Sequence, residues 1–322
     1  MRALITGISG FAGSFLTEYL LAQASTEVWG VSIGPTDNID PMRDRITYLT
    51  EDLADPTVAA RVLEQCRPDL VFHLAAQAFV PVSWQDPWST MENNIRAQVN
   101  LLHVLAQQRS AARILIIGSN EEYGRVQPDE LPITEQTPLR PDSPYGVSKI
   151  AQDFLALQYY ISHHLYTVRA RPFNHIGPRQ NDRFVASDFA KQVAEIEAGL
   201  REPVMRVGNL ESKRDFTDVR DMVRAYALAL DKGQAGEVYN IGSGQAHSIR
   251  ELLDYYRSLT TVSIRVEQDA ARSRPSDTPV TVCDATKFRQ QTGWAPRIPF
   301  EQTLRDTLDY WRARVKAQIN RK

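Results

Sequence analysis

The chain opens with a short apolar run, Ala3-Leu4-Ile5-Thr6, that passes directly into Gly7-Ile8-Ser9-Gly10-Phe11-Ala12-Gly13 and then into the helical pattern Ser14 to Leu21. Glycines at this spacing let a strand turn sharply into a helix and let backbone approach an anion closely. The new helix adds unpaired N–H groups and the positive end of its dipole. A phosphate-binding turn at the head of a parallel sheet is therefore predicted, with Gly7, Gly10, Phe11, Ala12 and Gly13 against a dinucleotide.

Behind this turn, strand-like runs alternate with helical patterns. The strands are Val28 to Ile33, Leu70 to Leu74 and Arg113 to Ile117; helices are expected near Val58 to Gln65 and Asn93 to Gln107. Such alternation predicts a parallel sheet with helical crossovers, and continuously apolar strands predict that both of its faces are covered. The fold class is α/β, a doubly wound parallel (Rossmann) sheet with a second, smaller α/β substrate-binding domain. A length of 322 residues suits about two domains. The spacing becomes irregular after Pro172, with loops expected at Gly177 to Arg179, Arg201 to Pro203 and Gly242 to Gly244. The expected division is 1–172, with about 213–241 returning to it, and 173–322. No repeat or low-complexity segment is evident, and Lys316 to Lys322 reads as a frayed tail.

Charge and cysteine content exclude several classes. The 37 basic and 39 acidic side chains give a net charge of -2, which offers no footprint for nucleic acid or an anionic membrane. Apolar stretches such as Ile114 to Ile117 are of strand length, far short of a membrane span. Gly7, Gly10 and Gly13 also break the apolar run after Arg2 before it reaches the length of a signal peptide's apolar region. Cys66 and Cys283 are too few and too far apart for a disulfide framework or a zinc knuckle, so a reducing cytoplasm is expected. His163 and His164 are adjacent, point in different directions and lack a third ligand at suitable spacing, so no metal site is expected.

Dinucleotide sites often carry an acid at the end of the second strand, on the ribose 2′-hydroxyl. Here that strand ends in Ser32-Ile33-Gly34. With no carboxylate to repel a 2′-phosphate, the cofactor is NADP or NAD, with NADP slightly favoured. Arg43 and Arg45 could approach such a phosphate or simply be solvated. Asp52-Leu53 either touches adenine or, through Asp52, caps the next helix.

Ser119 follows the strand Arg113 to Ile117, at a carboxyl end where sites form in such sheets. Tyr145 and Lys149 stand four apart at the start of the helical pattern Tyr145 to Leu165 and share a face. Bringing a tyrosine from about 10 to neutrality needs about 4 kcal/mol, comparable to one ammonium at 4 Å in an effective dielectric near 20. Lys149 is therefore expected to lower the pKa of Tyr145, making it a proton donor or acceptor while Ser119 hydrogen-bonds the same substrate oxygen.

With these residues in place, the sequence resembles the extended short-chain dehydrogenase/reductase superfamily over nearly its whole length. The motifs are Gly7-x-x-Gly10-x-x-Gly13, His73-Leu74-Ala75-Ala76, Ser119-Asn-Glu121-Glu-Tyr-Gly124 and Ser143-Pro-Tyr145-x-x-x-Lys149. The resemblance implies that Tyr145 is the acid/base, that Lys149 holds the nicotinamide ribose, that Ser119 polarises the substrate oxygen and that Ala75 lies against the cofactor. Downstream, Phe173-Asn174-His175, Val207-Gly208-Asn209-Leu210-Glu211, Arg214-Asp215 and Arg274-Pro275-Ser276-Asp277 resemble GDP-mannose 4,6-dehydratases and the related GDP-6-deoxy-D-lyxo-4-hexulose reductases. The implied substrate contacts are Asn174, Val185, Asn209, Arg214, Arg274 and Asp277, on a GDP-sugar whose diphosphate guanidinium groups clamp well.

Ser32-Ile33-Gly34 stands where the dehydratases carry an arginine pair, and Asp188 where they carry a lysine. The reductase is therefore favoured, giving GDP-D-rhamnose from a 4-keto-6-deoxy sugar. Glu121, the C5 base in dehydratases, keeps that activity as the alternative, with a 4-epimerase third. The intact serine, tyrosine and lysine argue against an idle NADP-sensing regulator. His175 lines the cleft or packs structurally. Ile95, Val99, Leu102, Phe154, Leu157 and Ile161 widen two apolar helix faces, implying the superfamily's homodimer interface or extra core packing.

Overall fold

The computed structural model describes residues 1–23, 25–269 and 278–320. Strand and helix alternate through β1 (Arg2–Thr6), α1 (Phe11–Leu21), β2 (Glu27–Ser32), β3 (Thr47–Thr50), α2 (Pro56–Cys66) and β4 (Leu70–His73). There follow α3 (Val80–Gln85), α4 (Pro87–Gln107), β5 (Arg113–Ile117), α5 (Pro144–His163) and β6 (Tyr166–Pro172). The next stretch holds β7 (Asn174–Ile176), α6 (Val185–Glu197), β8 (Val204–Val207), β9 (Lys213–Asp218), α7 (Val219–Lys232) and β10 (Val238–Ile241). Last come β11 (Ala246–Ser248), α8 (Ile249–Ser258), β12 (Arg265–Gln268), β13 (Val280–Thr281), α9 (Thr286–Thr292) and α10 (Phe300–Ile319).

Seven parallel strands form the main sheet in the order β10-β6-β5-β4-β1-β2-β3. The fold is thus doubly wound α/β, and its winding reverses between β1 and β4, where a crevice opens at the carboxyl ends. One face buries Phe15 and Leu16 of α1 with Met222 of α7, Phe288 of α9 and Trp294. The other buries Val62 of α2, Leu101 and Leu105 of α4, and Ala156 of α5. Helix α4 begins at Pro87 rather than near Asn93, because Asp86 accepts the Ser89 N–H at 3.0 Å and proline presets the first turn.

A smaller layer centres on β9, which pairs with β7, β11 and β13, while β8 pairs with β12. Helices α6, α8 and α10 close it over a third core that includes Phe189, Val193, Leu252, Leu304 and Leu308. Within 213–241 the chain divides: β9 stays in the smaller sheet, and β10 joins the large one beside β6. Among the described residues no helix is long and apolar enough to cross a membrane.

Asp215, buried in β9, ties this layer together. Its Oδ1 accepts the Ser243 N–H and hydroxyl at 2.9 and 2.6 Å, and its Oδ2 accepts the N–H groups of Gly244 and Cys283 at 2.8 and 3.1 Å. Asp215→Ala would strand three backbone donors, each worth about 1–3 kcal/mol. We expect a stability loss of about 3 kcal/mol or more, read as a lower urea midpoint at unchanged m value.

Candidate active site

The crevice is a cleft of about 550 Å³ lined from both layers. At its base Gly7 holds φ +71°, and a Cβ there would meet the Ala75 backbone at 3.0 Å. A Cβ on Gly13 would lie 2.3 Å from the Gly7 carbonyl oxygen, so α1 can rest this close to β1 only on glycine. Gly10 is the N-cap, with no side chain capping the helix and no acid in its first turn. This cradle fits a dinucleotide's pyrophosphate, with Phe11 and Ala12 also in the lining.

Farther along, Ser32 Oγ lies 2.8 Å from Ser9 Oγ and 3.2 Å from the Tyr48 hydroxyl. The Arg43 guanidinium sits 4.0 Å over the Tyr48 ring, whereas Arg45 turns away to the Leu21 carbonyl. Asp52 and Leu53 line the cleft. Helix α2 is capped by Asp55, which accepts the Thr57 N–H at 2.8 Å; Asp52 instead accepts the Ala54 N–H. Capping is therefore not the role of Asp52.

Ser143 caps α5 by accepting the Gly146 N–H at 3.0 Å, which places Tyr145 in the first turn and Lys149 one turn on. Both are buried and share the cleft with Ser119 and Glu121. Burial pushes the Tyr145 pKa up and the Glu121 and Glu122 carboxyls push it further, against a hydrogen bond from Ser119 that pulls it down. Lys149 donates to the Ile117 carbonyl at 2.8 Å, with its Nζ 5.9 Å from the Tyr145 ring centroid. Burial drives the lysine down to about 8, opposed by Glu122. The expected lowering of Tyr145 by Lys149 is thus corrected: desolvation of the buried phenol prevails and its pKa moves up. Thr6 supports the floor, its hydroxyl 2.9 Å from His73 Nδ1 and accepting the Ala75 N–H at 3.1 Å. Burial pushes His73 down to about 3, so the ring is neutral.

On the far wall, Asn174 points a buried Oδ1 that has no hydrogen-bond partner among the described residues. His175 stacks on Phe11 at 5.8 Å between centroids, and Val185 opens α6 beside them. The lining also includes Ser9, Gln180, Asn181, Phe216 and Tyr226, which sequence reasoning missed. The stretch after Gly177 reads as a loop, and only the fold turns Phe216 of β9 and Tyr226 of α7 into the cleft. Asn209 and Arg214 lie outside this lining. Asn209 accepts the Glu211 N–H at 2.9 Å, and Arg214 donates to the Lys213 and Thr278 carbonyls. Arg274 and Asp277, with Pro275 and Ser276, fall outside the described residues. No group of three or more metal-ligating side chains is found among the described residues.

A glycine cradle at the switch point of a doubly wound sheet, with a serine beyond the end of β5 and a tyrosine and lysine one turn apart on α5, defines an extended short-chain dehydrogenase/reductase. Residues 4–307 match the family described as GDP-mannose 4,6 dehydratase, and the chain belongs to that family. It is 36% identical to GDP-6-deoxy-D-mannose reductase of Pseudomonas aeruginosa, over 98% of this chain and 99% of that one. GDP-mannose 4,6 dehydratase 1 of Arabidopsis thaliana is 30% identical, over 95% and 88%. The structure of RMD from Pseudomonas aeruginosa complexed with NADPH superposes with a TM-score of 0.86 at 35% identity, covering 97% of this chain and 99% of that one. The chain is an NAD(P)-dependent nucleotide-sugar enzyme.

Lys149 sheds its charge as pH rises through about 8. A site that needs the ammonium loses kcat/KM on that alkaline limb, which reports the free enzyme. Lys149→Arg, whose guanidinium stays charged, should move the limb upward in whatever activity remains; a limb that stays in place removes Lys149 as its source.

Proposed function

We propose that this enzyme reduces the 4-keto group of a GDP-4-keto-6-deoxy-hexose with NAD(P)H, giving GDP-D-rhamnose. The observation that carries the reading is that Ser119, the buried Tyr145 and Lys149 line one cleft, as suits a phenol that protonates a nascent alkoxide. Bound NAD(P)H supplies the hydride. Tyr145 gives its proton to O4, Ser119 donates to the same oxygen, and Lys149 orients the ribose. The unpartnered Asn174 Oδ1 suits a sugar hydroxyl, and Val185 packs nearby. Asn209, Arg214, Arg274 and Asp277 are assigned to the nucleotide end, with the arginines on the diphosphate. Similarity to the bacterial reductase supports this direction, since 6-deoxy-D-mannose is D-rhamnose.

Tyr145→Phe should lower turnover by about 10² to 10⁴ with little change in cofactor affinity. A near-native rate would take Tyr145 out of the mechanism. Glu121 stands where a dehydratase keeps its C5 base, and it lines the cleft. Because a reductase removes no C5 proton, Glu121→Gln should retain much of the ketone reduction, with one NADPH consumed per product seen by NMR. Conversion of GDP-mannose without added reductant, abolished by Glu121→Gln, would decide for the dehydratase instead.

NADPH should be accepted at least as well as NADH, because Ser9, Ser32 and Arg43 on Tyr48 offer donors and a cation where a carboxylate would stand. Calorimetric titration should find NADPH binding weakened about tenfold by Arg43→Ala, with NADH little affected. Ser32→Asp should turn the preference toward NADH; a strong native preference for NADH would contradict the assignment.

We further assign a homodimer through α4 and α5, where Phe154 and Ile161 are 50% and 62% exposed; Leu102 is buried in the core. Phe154→Asp with Ile161→Asp should halve the mass measured by sedimentation, and a wild-type monomer would refute the assignment. The buried free thiols of Cys66 and Cys283 suit a reducing cytoplasm.

A further inference from the structure

Glu122 takes no part in the chemistry above, yet it is fully buried directly behind Ser119. Its Oε1 accepts the Ser119 N–H at 2.8 Å, while Ser119 Oγ accepts the Glu121 N–H at 3.1 Å. Reciprocal bonds of this kind ordinarily cap a helix end open to water. Here the glutamate faces the buried pair of Arg171 and Asp153 instead. Asp153 of α5 accepts from Arg169 at 2.7 Å and from Arg171 Nε at 2.8 Å. Glu122 Oε2 also lies 2.8 Å from Arg171 Nε, but that N–H is directed at Asp153 and Oε2 receives no aligned donor. Two carboxyl groups therefore converge on one N–H. An ionised Glu122 would compete with the Asp153 carboxylate for that one N–H and leave a buried charged oxygen without an aligned donor; a protonated one would donate to Asp153. The space is shaped around it, since a Cβ on Gly118 would lie 2.2 Å from Glu122 Oε1.

We propose that Glu122 positions Ser119 as a neutral carboxylic acid, accepting the Ser119 N–H with one oxygen and donating the proton on the other to Asp153. The catalytic hydroxyl is thereby tied to the Arg169, Asp153 and Arg171 cluster. The functional part of this inference rests on the proposed role of Ser119. Burial and the charge of Asp153 push the Glu122 carboxyl well above its ordinary pKa, in agreement with the geometry. Neutrality also serves Tyr145: a carboxylate at Glu122 would oppose the phenolate formed when Tyr145 gives up its proton.

The test uses the full-length enzyme with NADPH. The infrared difference between wild type and Glu122→Gln at neutral pH should contain the carbonyl band of a protonated carboxylic acid, present only in wild type. Glu122→Leu, which removes the acceptor for the Ser119 N–H, should lower kcat about 10- to 100-fold while KM and the NADPH Kd stay within about twofold. Glu122→Gln, whose amide both accepts and donates, should recover most of that loss. Absence of the acid band, or a native kcat in Glu122→Leu, overturns the proposal. If Glu122→Leu does not fold, the band alone decides the protonation state and the kcat of Glu122→Gln the positioning. An active Tyr145→Phe would defeat the catalytic reading but leave the band untouched, so the two failures are distinguishable.

Discussion

Asp153 divides its carboxylate between Arg169 and Arg171 in a pocket closed to water, joining α5 to β6 through two buried ion pairs. Tyr145 and Lys149 precede Asp153 on the same helix, so their height above the sheet follows from this contact. The cluster reaches farther: Arg171 Nη1 donates to the Tyr123 hydroxyl at 3.1 Å, and that hydroxyl donates to Asn240 of β10 at 2.7 Å. Removing one partner of such a buried pair commonly costs about 3–5 kcal/mol, because the remaining charge is stranded. Catalytic helix, central strands and sheet edge therefore share a single electrostatic anchor.

Much of this arrangement was legible in the sequence. Strand Arg113–Ile117 stands where the sequence placed it, and the glycine turn, Ser119, Tyr145 and Lys149 fall in one cleft, because periodicity and glycine spacing are local signals that survive folding. The second layer was less readable for an equally physical reason. Strands β7 and β11 have three residues each and β13 two, too few for an alternating pattern to emerge. Arg214-Asp215 reads as a ligand motif, yet the aspartate spends its oxygens on backbone donors from distant segments. Ser32 shows the same limitation: its missing carboxylate is visible in one dimension, but its partners Ser9 and Tyr48 are visible only in three.

The electrostatic state of the site was the least accessible part. Spacing alone suggested that an ammonium next to a phenol would acidify it. The folded chain turns the Lys149 ammonium toward the Ile117 carbonyl and removes both groups from water. Desolvation acts in opposite directions on the two, raising the acid and lowering the base, so their pKa values move apart and the phenol stays neutral beside the ammonium at neutrality.

The return of β10 to the large sheet has a consequence for how such a protein can be assembled or inherited. The chain leaves that sheet after β6, builds much of the smaller layer, and only then supplies the strand that covers the outer side of β6. A fragment ending at the close of β6 would expose an unpaired parallel edge, an invitation to aggregate. It would also lose Met222, Tyr226, Phe288 and Trp294 from the core beneath α1. The nucleotide-binding half is therefore not a transferable module: recombination that exchanged it alone would cut through its own hydrophobic interior, and the smallest heritable unit is nearly the whole chain.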